Sequence, residues 1–123
     1  MQQVLEKPET VLVETVKPQP VFTDYPLPEH VLHALSRKGF TTPTAIQAEA
    51  LPHALKGKDV LGQARTGTGK TLAFGLPIAS RLQEDHSRGR APRALILTPT
   101  RELALQVAGE LEWVSPHLEV VTI

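Results

Sequence analysis

The chain has 123 residues, enough for one domain with little to spare for a second. Its 13 basic and 13 acidic side chains balance to a formal charge of zero, so no global field draws nucleic acid, membrane or acidic partners. Cysteine is absent, which excludes disulfides and thiolate-bound zinc and suits a reducing cytosol, and no apolar run is long enough to span a bilayer.

Residues 1–20 stand apart: prolines at 8, 18 and 20 bracket Val11-Leu12-Val13-Glu14-Thr15-Val16 with no helical stripe. The segment reads as a flexible N-terminal arm or as an edge strand. Regular structure is expected after Tyr25. Leu27-Pro28-Glu29 opens a helix with proline in its first turn, where the missing N–H is harmless; Val31, Leu32 and Leu35 form its stripe and Gly39 ends it. A second helix starts at Thr42-Pro43-Thr44 with Thr42 as N-cap, carries Ile46, Ala50 and Leu51, and is expected to kink or divide at Pro52. Lys56-Gly57-Lys58-Asp59 is a turn.

A strand is expected over 59–63. Gln63-Ala64-Arg65-Thr66-Gly67-Thr68-Gly69-Lys70-Thr71 then describes a cradle for a nucleoside triphosphate. Gly67 and Gly69 allow the tight turn that aims successive amides at phosphate oxygens. The helix that follows adds its unpaired N-terminal amides and positive dipole end. Lys70 reaches the terminal phosphates as a point charge, and the Thr71 hydroxyl takes one Mg²⁺ position. The general pattern asks for glycine where Ala64 stands.

That helix is expected to run from about 70 to 84, bent at Pro77, before an exposed loop at Asp85–Pro92. The nearly all-apolar run 93–98 reads as a strand buried on both faces. Thr100 caps a helix whose stripe is Leu103, Val107, Leu111 and Val114; Ser115-Pro116-His117 ends it, and 118–123 looks like a third strand. Strand, helix, strand, helix, strand is the order of an α/β layered fold with a mainly parallel sheet. Five histidines, at 30, 33, 53, 86 and 117, include a pair three apart on a helix, but no third ligand is suitably spaced and no zinc site is expected.

Three separated pieces together resemble the N-terminal portion of a bacterial DEAD-box ATP-dependent RNA helicase. Gly39-Phe40-Thr41-Thr42-Pro43-Thr44-Ala45-Ile46-Gln47 is similar to the family's Q motif, with Phe22 at the place of its isolated upstream aromatic. Ala64–Thr71 matches the family's Walker A, in which alanine is the usual first residue, and Pro99-Thr100-Arg101-Glu102-Leu103-Ala104 is similar to motif Ia. The resemblance covers residues 21–123 and implies the first part of a RecA-like P-loop domain that binds ATP and Mg²⁺.

It also implies roles. Gln47 reads adenine, accepting from the N6 amine and donating to N7, while Phe22 stacks on the purine. Pro99, Thr100 and Arg101 contact the RNA backbone without reading sequence. Arg88, Arg90 and Arg93 are better read as a solvated surface. The family's Asp-Glu-Ala-Asp and Ser-Ala-Thr motifs and its second RecA-like domain do not occur in these residues. The chain is therefore expected to hold a nucleotide without turning it over, and its sheet to lack neighbours that the family supplies from later sequence. A non-catalytic nucleotide- or RNA-binding fragment is the alternative reading.

Overall fold

The computed structural model describes residues 18–82 and 91–123. Most of the N-terminal arm and of the 85–92 loop lies outside the described residues. A 3₁₀ turn, Phe22–Asp24, precedes four α-helices: α1 (Glu29–Arg37), α2 (Ala45–Ala54), α3 (Lys70–Arg81) and α4 (Arg101–Val114). The short turn is closed by Asp24, whose carboxylate accepts from the Val21 N–H at 3.0 Å.

α1 ends as its sequence dictates. Gly39 takes φ +78° and its N–H donates to the Ser36 carbonyl at 2.9 Å, while the Phe40 N–H reaches back to Leu35 at 2.9 Å. These two bonds are the paired closure of a Schellman motif. α2 departs from expectation at both ends. Its N-cap is Thr44 rather than Thr42, because Gln47 lies three residues on and returns its side chain to the Thr44 N–H at 2.9 Å. Pro52 does not divide the helix: α2 runs through it to Ala54, giving up the one bond that an N–H at this position would make to the Ala48 carbonyl. α3 likewise runs unbroken through Pro77 and stops at Arg81, earlier than the expected 84. α4 begins as expected, with Thr100 Oγ1 accepting from the Leu103 N–H at 3.2 Å.

α3 is the centre of the molecule and packs against α1, α2 and α4. Leu72, Leu76 and Ala79 on α3 meet Val31 and Leu35 of α1, Leu51 of α2, Val114 of α4, and Phe22 and Leu27. Leu76, Leu51 and Val31 are wholly buried, each contributing about 1.5–3 kcal/mol relative to exposure. Gly75 lets α4 approach closely, since a Cβ there would lie 3.2 Å from Leu111 Cδ2. Leu103, expected in the α4 stripe, is on the surface; Ala108 is buried instead.

Among the described residues the expected sheet is not formed. Among the described residues the runs 59–63, 93–98 and 118–123 are neither strands nor bridges. Leu61 and Ile123 are fully exposed, and Leu95 and Leu97 are 81% and 84% exposed. A strand exists by exchanging backbone hydrogen bonds with a neighbour, and apolar composition alone cannot supply that partner. No helix among the described residues is long and apolar enough to cross a membrane.

Candidate nucleotide site

The phosphate loop turns on two left-handed glycines, Gly67 at φ +80° and Gly69 at φ +88°. Thr68 Oγ1 donates to the Arg65 carbonyl at 2.5 Å and closes the bend. Gly69 is also the N-cap of α3, so the loop delivers its last residues into a helix start with unpaired amides and a positive dipole end. Lys70 is the first residue of α3 and is exposed; Thr71 beside it is half-buried. A Cβ at Gly67 would meet nothing within 4 Å, so the bend borders open space at this position. An open bend of this kind with a lysine at its edge fits a phosphate chain, and the neighbouring hydroxyl of Thr71 is a hard oxygen donor of the sort Mg²⁺ takes.

Gln47 connects this loop to α2. It is buried, its Oε1 accepts from Thr44 N–H, and its Nε2 donates to the Gly69 carbonyl at 3.0 Å. One lone pair on Oε1 and one hydrogen on Nε2 remain uncommitted by these two bonds. The packing is tight enough that a Cβ at Gly69 would collide with Gln47 Nε2 and lie 2.9 Å from Thr44 Oγ1. On the other side of the loop, a Cβ at Gly62 would sit 3.2 Å from Ile46 Cδ1. The first turn of α2 thus grips the phosphate loop before and after its bend. Thr44 and Ile46 were not among the site residues expected from sequence; the Thr44…Gln47 spacing of a capping box was the available signal for Thr44.

Phe22 is placed differently from the expected purine platform. Only 3% of it is exposed, it belongs to the apolar core, and its N–H donates to the Thr41 carbonyl at 3.0 Å. Its ring is packed into the apolar core in this structure, and its main-chain N–H holds the 39–44 segment. Ala64 is half-buried, and Arg65 and Thr66 are exposed. Pro99, Thr100 and Arg101 are all exposed at the start of α4, with Thr98 Oγ1 donating to the Thr100 carbonyl at 2.8 Å. The Arg101 guanidinium therefore stands at a capped helix N-terminus.

The family model for DEAD/DEAH box helicase matches residues 44–123, from the cap of α2 through the phosphate loop and α4. The chain belongs to the DEAD/DEAH box helicase family. Among its relatives is the ATP-dependent RNA helicase SrmB of Escherichia coli (strain K12), 51% identical over 105 residues that cover 83% of this chain and 24% of that protein. The DEAD-box ATP-dependent RNA helicase RhpA of Helicobacter pylori (strain B128) is 45% identical, with 85% and 20% covered. Among solved structures, the RNA helicase Prp28 from Chaetomium thermophilum bound to ADP superposes with a TM-score of 0.79 at 38% identity, over 89% of this chain and 28% of that one. The fold is accordingly the RecA-like one of DEAD-box helicases. The chain spans about a quarter or less of the length of these relatives.

Two other features of this chain lie away from the loop. His30 of α1 points its Nε2 at Ser115 Oγ, 3.3 Å away, and its ring meets His117 edge-on at 4.8 Å between centroids. Burial and the neighbouring His117 hold the His30 pKa below its usual value. His33 is exposed, and among the described residues no three His, Cys, Asp or Glu side chains are grouped to hold a metal. A cleft of about 520 Å³ lined by Leu27, Leu55, Pro77 and Arg81 lies towards the other end of α3 from the phosphate loop.

Proposed function

We propose that residues 21–123 form the adenine-nucleotide-binding portion of an ATP-dependent RNA helicase, whose complete form couples ATP hydrolysis to the opening of RNA duplexes. The observation that carries this reading is the Gly67–Gly69 bend feeding α3, with Gln47 docked against it. Backbone amides of Ala64 to Gly69 and the first turn of α3 hold the phosphates, Lys70 balances their terminal charge, and Thr71 offers its hydroxyl to Mg²⁺. When bound, Mg²⁺ neutralises charge on the phosphate oxygens. Gln47 reads adenine through the two positions its amide has free, or by exchanging its bond to Gly69 for one to the base. Phe22 supports that reading from the core rather than by stacking.

Pro99, Thr100 and Arg101 bind the RNA backbone, where a forked guanidinium and a capped helix start suit phosphodiester oxygens. The runs 59–63, 93–98 and 118–123 are strands of a mainly parallel, three-layered sheet once their neighbours are present. Water-orienting carboxylates are not among these residues, so the chain by itself binds nucleotide without appreciable turnover. A reducing cytosol is the fitting compartment for a chain without cysteine.

Titration of the chain with a fluorescent ADP in Mg²⁺ tests the reading against Lys70→Ala. Loss of a charge-assisted contact worth about 1.5–3 kcal/mol weakens binding roughly ten- to hundredfold. Equal and negligible binding by both proteins would refute it.

A further inference from the structure

The segment between α1 and α2 is anchored through its main chain at three points. Phe40 N–H is tied to Leu35, the Thr41 carbonyl to Phe22 N–H, and Thr44 N–H to Gln47. The Phe40 side chain is left outside this framework and is 44% exposed. Its ring meets Trp113 of α4 edge-to-face, with centroids 5.8 Å apart and planes at 66°. Lys38 Nζ lies 5.1 Å from the Trp113 ring centroid, and the indole N–H donates to Glu110 at 3.1 Å. Trp113 is thus fixed to its own helix and touched by two side chains from the end of α1.

We infer that Phe40 is a positioning residue that relays occupancy of the phosphate loop to α4 through its contact with Trp113. This rests on the nucleotide-binding reading above. The first turn of α2 touches the loop on both sides, through Ile46 at Gly62 and through Thr44 and Gln47 at Gly69. A phosphate chain settling into the bend, or a base that draws the Gln47 amide away from Gly69, displaces that turn. The 39–44 segment is short and tied at both ends, so displacement at Thr44 reaches Phe40.

Trp113 is the single tryptophan of the chain and reports on this contact directly. ADP with Mg²⁺ is titrated into the 123-residue chain while binding is followed by calorimetry and Trp113 by selectively excited emission. The expected result is a change in emission on binding that is lost in Phe40→Leu, at unchanged ADP affinity, and restored in Phe40→Tyr. Binding with a silent Trp113 overturns the inference alone. So does an emission change that persists in Phe40→Leu, or a loss of ADP binding in Phe40→Leu and Phe40→Tyr alike. Absence of binding in the unsubstituted chain and in Lys70→Ala overturns the nucleotide reading, and this inference with it.

Discussion

Replacing Gly69 by alanine tests whether the phosphate loop and α2 are one mechanical unit. Gly69 sits at φ +88°, where an L-residue costs about 1–2 kcal/mol. The added Cβ collides with Gln47 Nε2 and lies 2.9 Å from Thr44 Oγ1. Gln47 is buried, so it cannot turn to water without moving α2, and its bond to the Gly69 carbonyl is the contact that gives way. Leaving that buried amide unpaired costs about 1–3 kcal/mol more, for a total near 2–5 kcal/mol. Gly67→Ala is the internal control. Its φ is +80° but its Cβ meets nothing, so only the backbone cost of about 1–2 kcal/mol applies. Urea unfolding followed by Trp113 emission reads the difference as a lower midpoint for Gly69→Ala at unchanged m-value. Equal losses in the two variants, within about 0.5 kcal/mol, would refute the docking of Gln47 on the loop.

Gln47→Glu should lose about 1–3 kcal/mol in the same unfolding assay, because a carboxylate cannot donate to the Gly69 carbonyl, and should also lower the preference for ADP over GDP in a competition titration. Part of the loss of stability below pH 6.5 should trace to His30. Its folded pKa is depressed below the ordinary 6.5, so its contribution to stability is fully present above that value and is lost as pH falls through the folded pKa. His30→Gln should therefore flatten the acid side of a melting-temperature profile, and an unchanged slope would count against the burial of His30 beside His117. Thr100→Ala should cost about 1 kcal/mol by removing the α4 cap and weaken RNA binding modestly through disorder around Arg101, measured by urea unfolding and by filter binding.

What could be read from the chain and what could not divides along the range of the forces involved. The Schellman closure at Gly39, the Thr100 cap and the phosphate loop are each set by residues within a few positions of one another, and all three were legible. The cap of α2 was misplaced because Thr42-Pro43 also satisfies a helix start, with proline at the first helical position. The deciding signal was the Thr44…Gln47 pair, also local. The second bond of Gln47 crosses 22 positions to Gly69 and has no signature in spacing. The same is true of Phe22, whose place in the core depends on α1, α2 and α3 assembling around it. The runs 59–63, 93–98 and 118–123 have the composition of strands, yet pairing is a property of two segments and neither periodicity nor β-branching supplies it.

The exposed apolar stretches of those runs, which form no strand among the described residues, also govern how the polypeptide behaves on its own. Ala94-Leu95-Ile96-Leu97 and Val120-Val121-Thr122-Ile123 combine high β-propensity with almost no charge, and Leu95, Leu97, Val121 and Ile123 face solvent. Bare backbone edges of this kind template identical edges on other molecules. Concentrated preparations of these 123 residues will consequently drift towards cross-β aggregates, and a charged residue at Leu95 or Val121 will slow that drift without touching the phosphate loop.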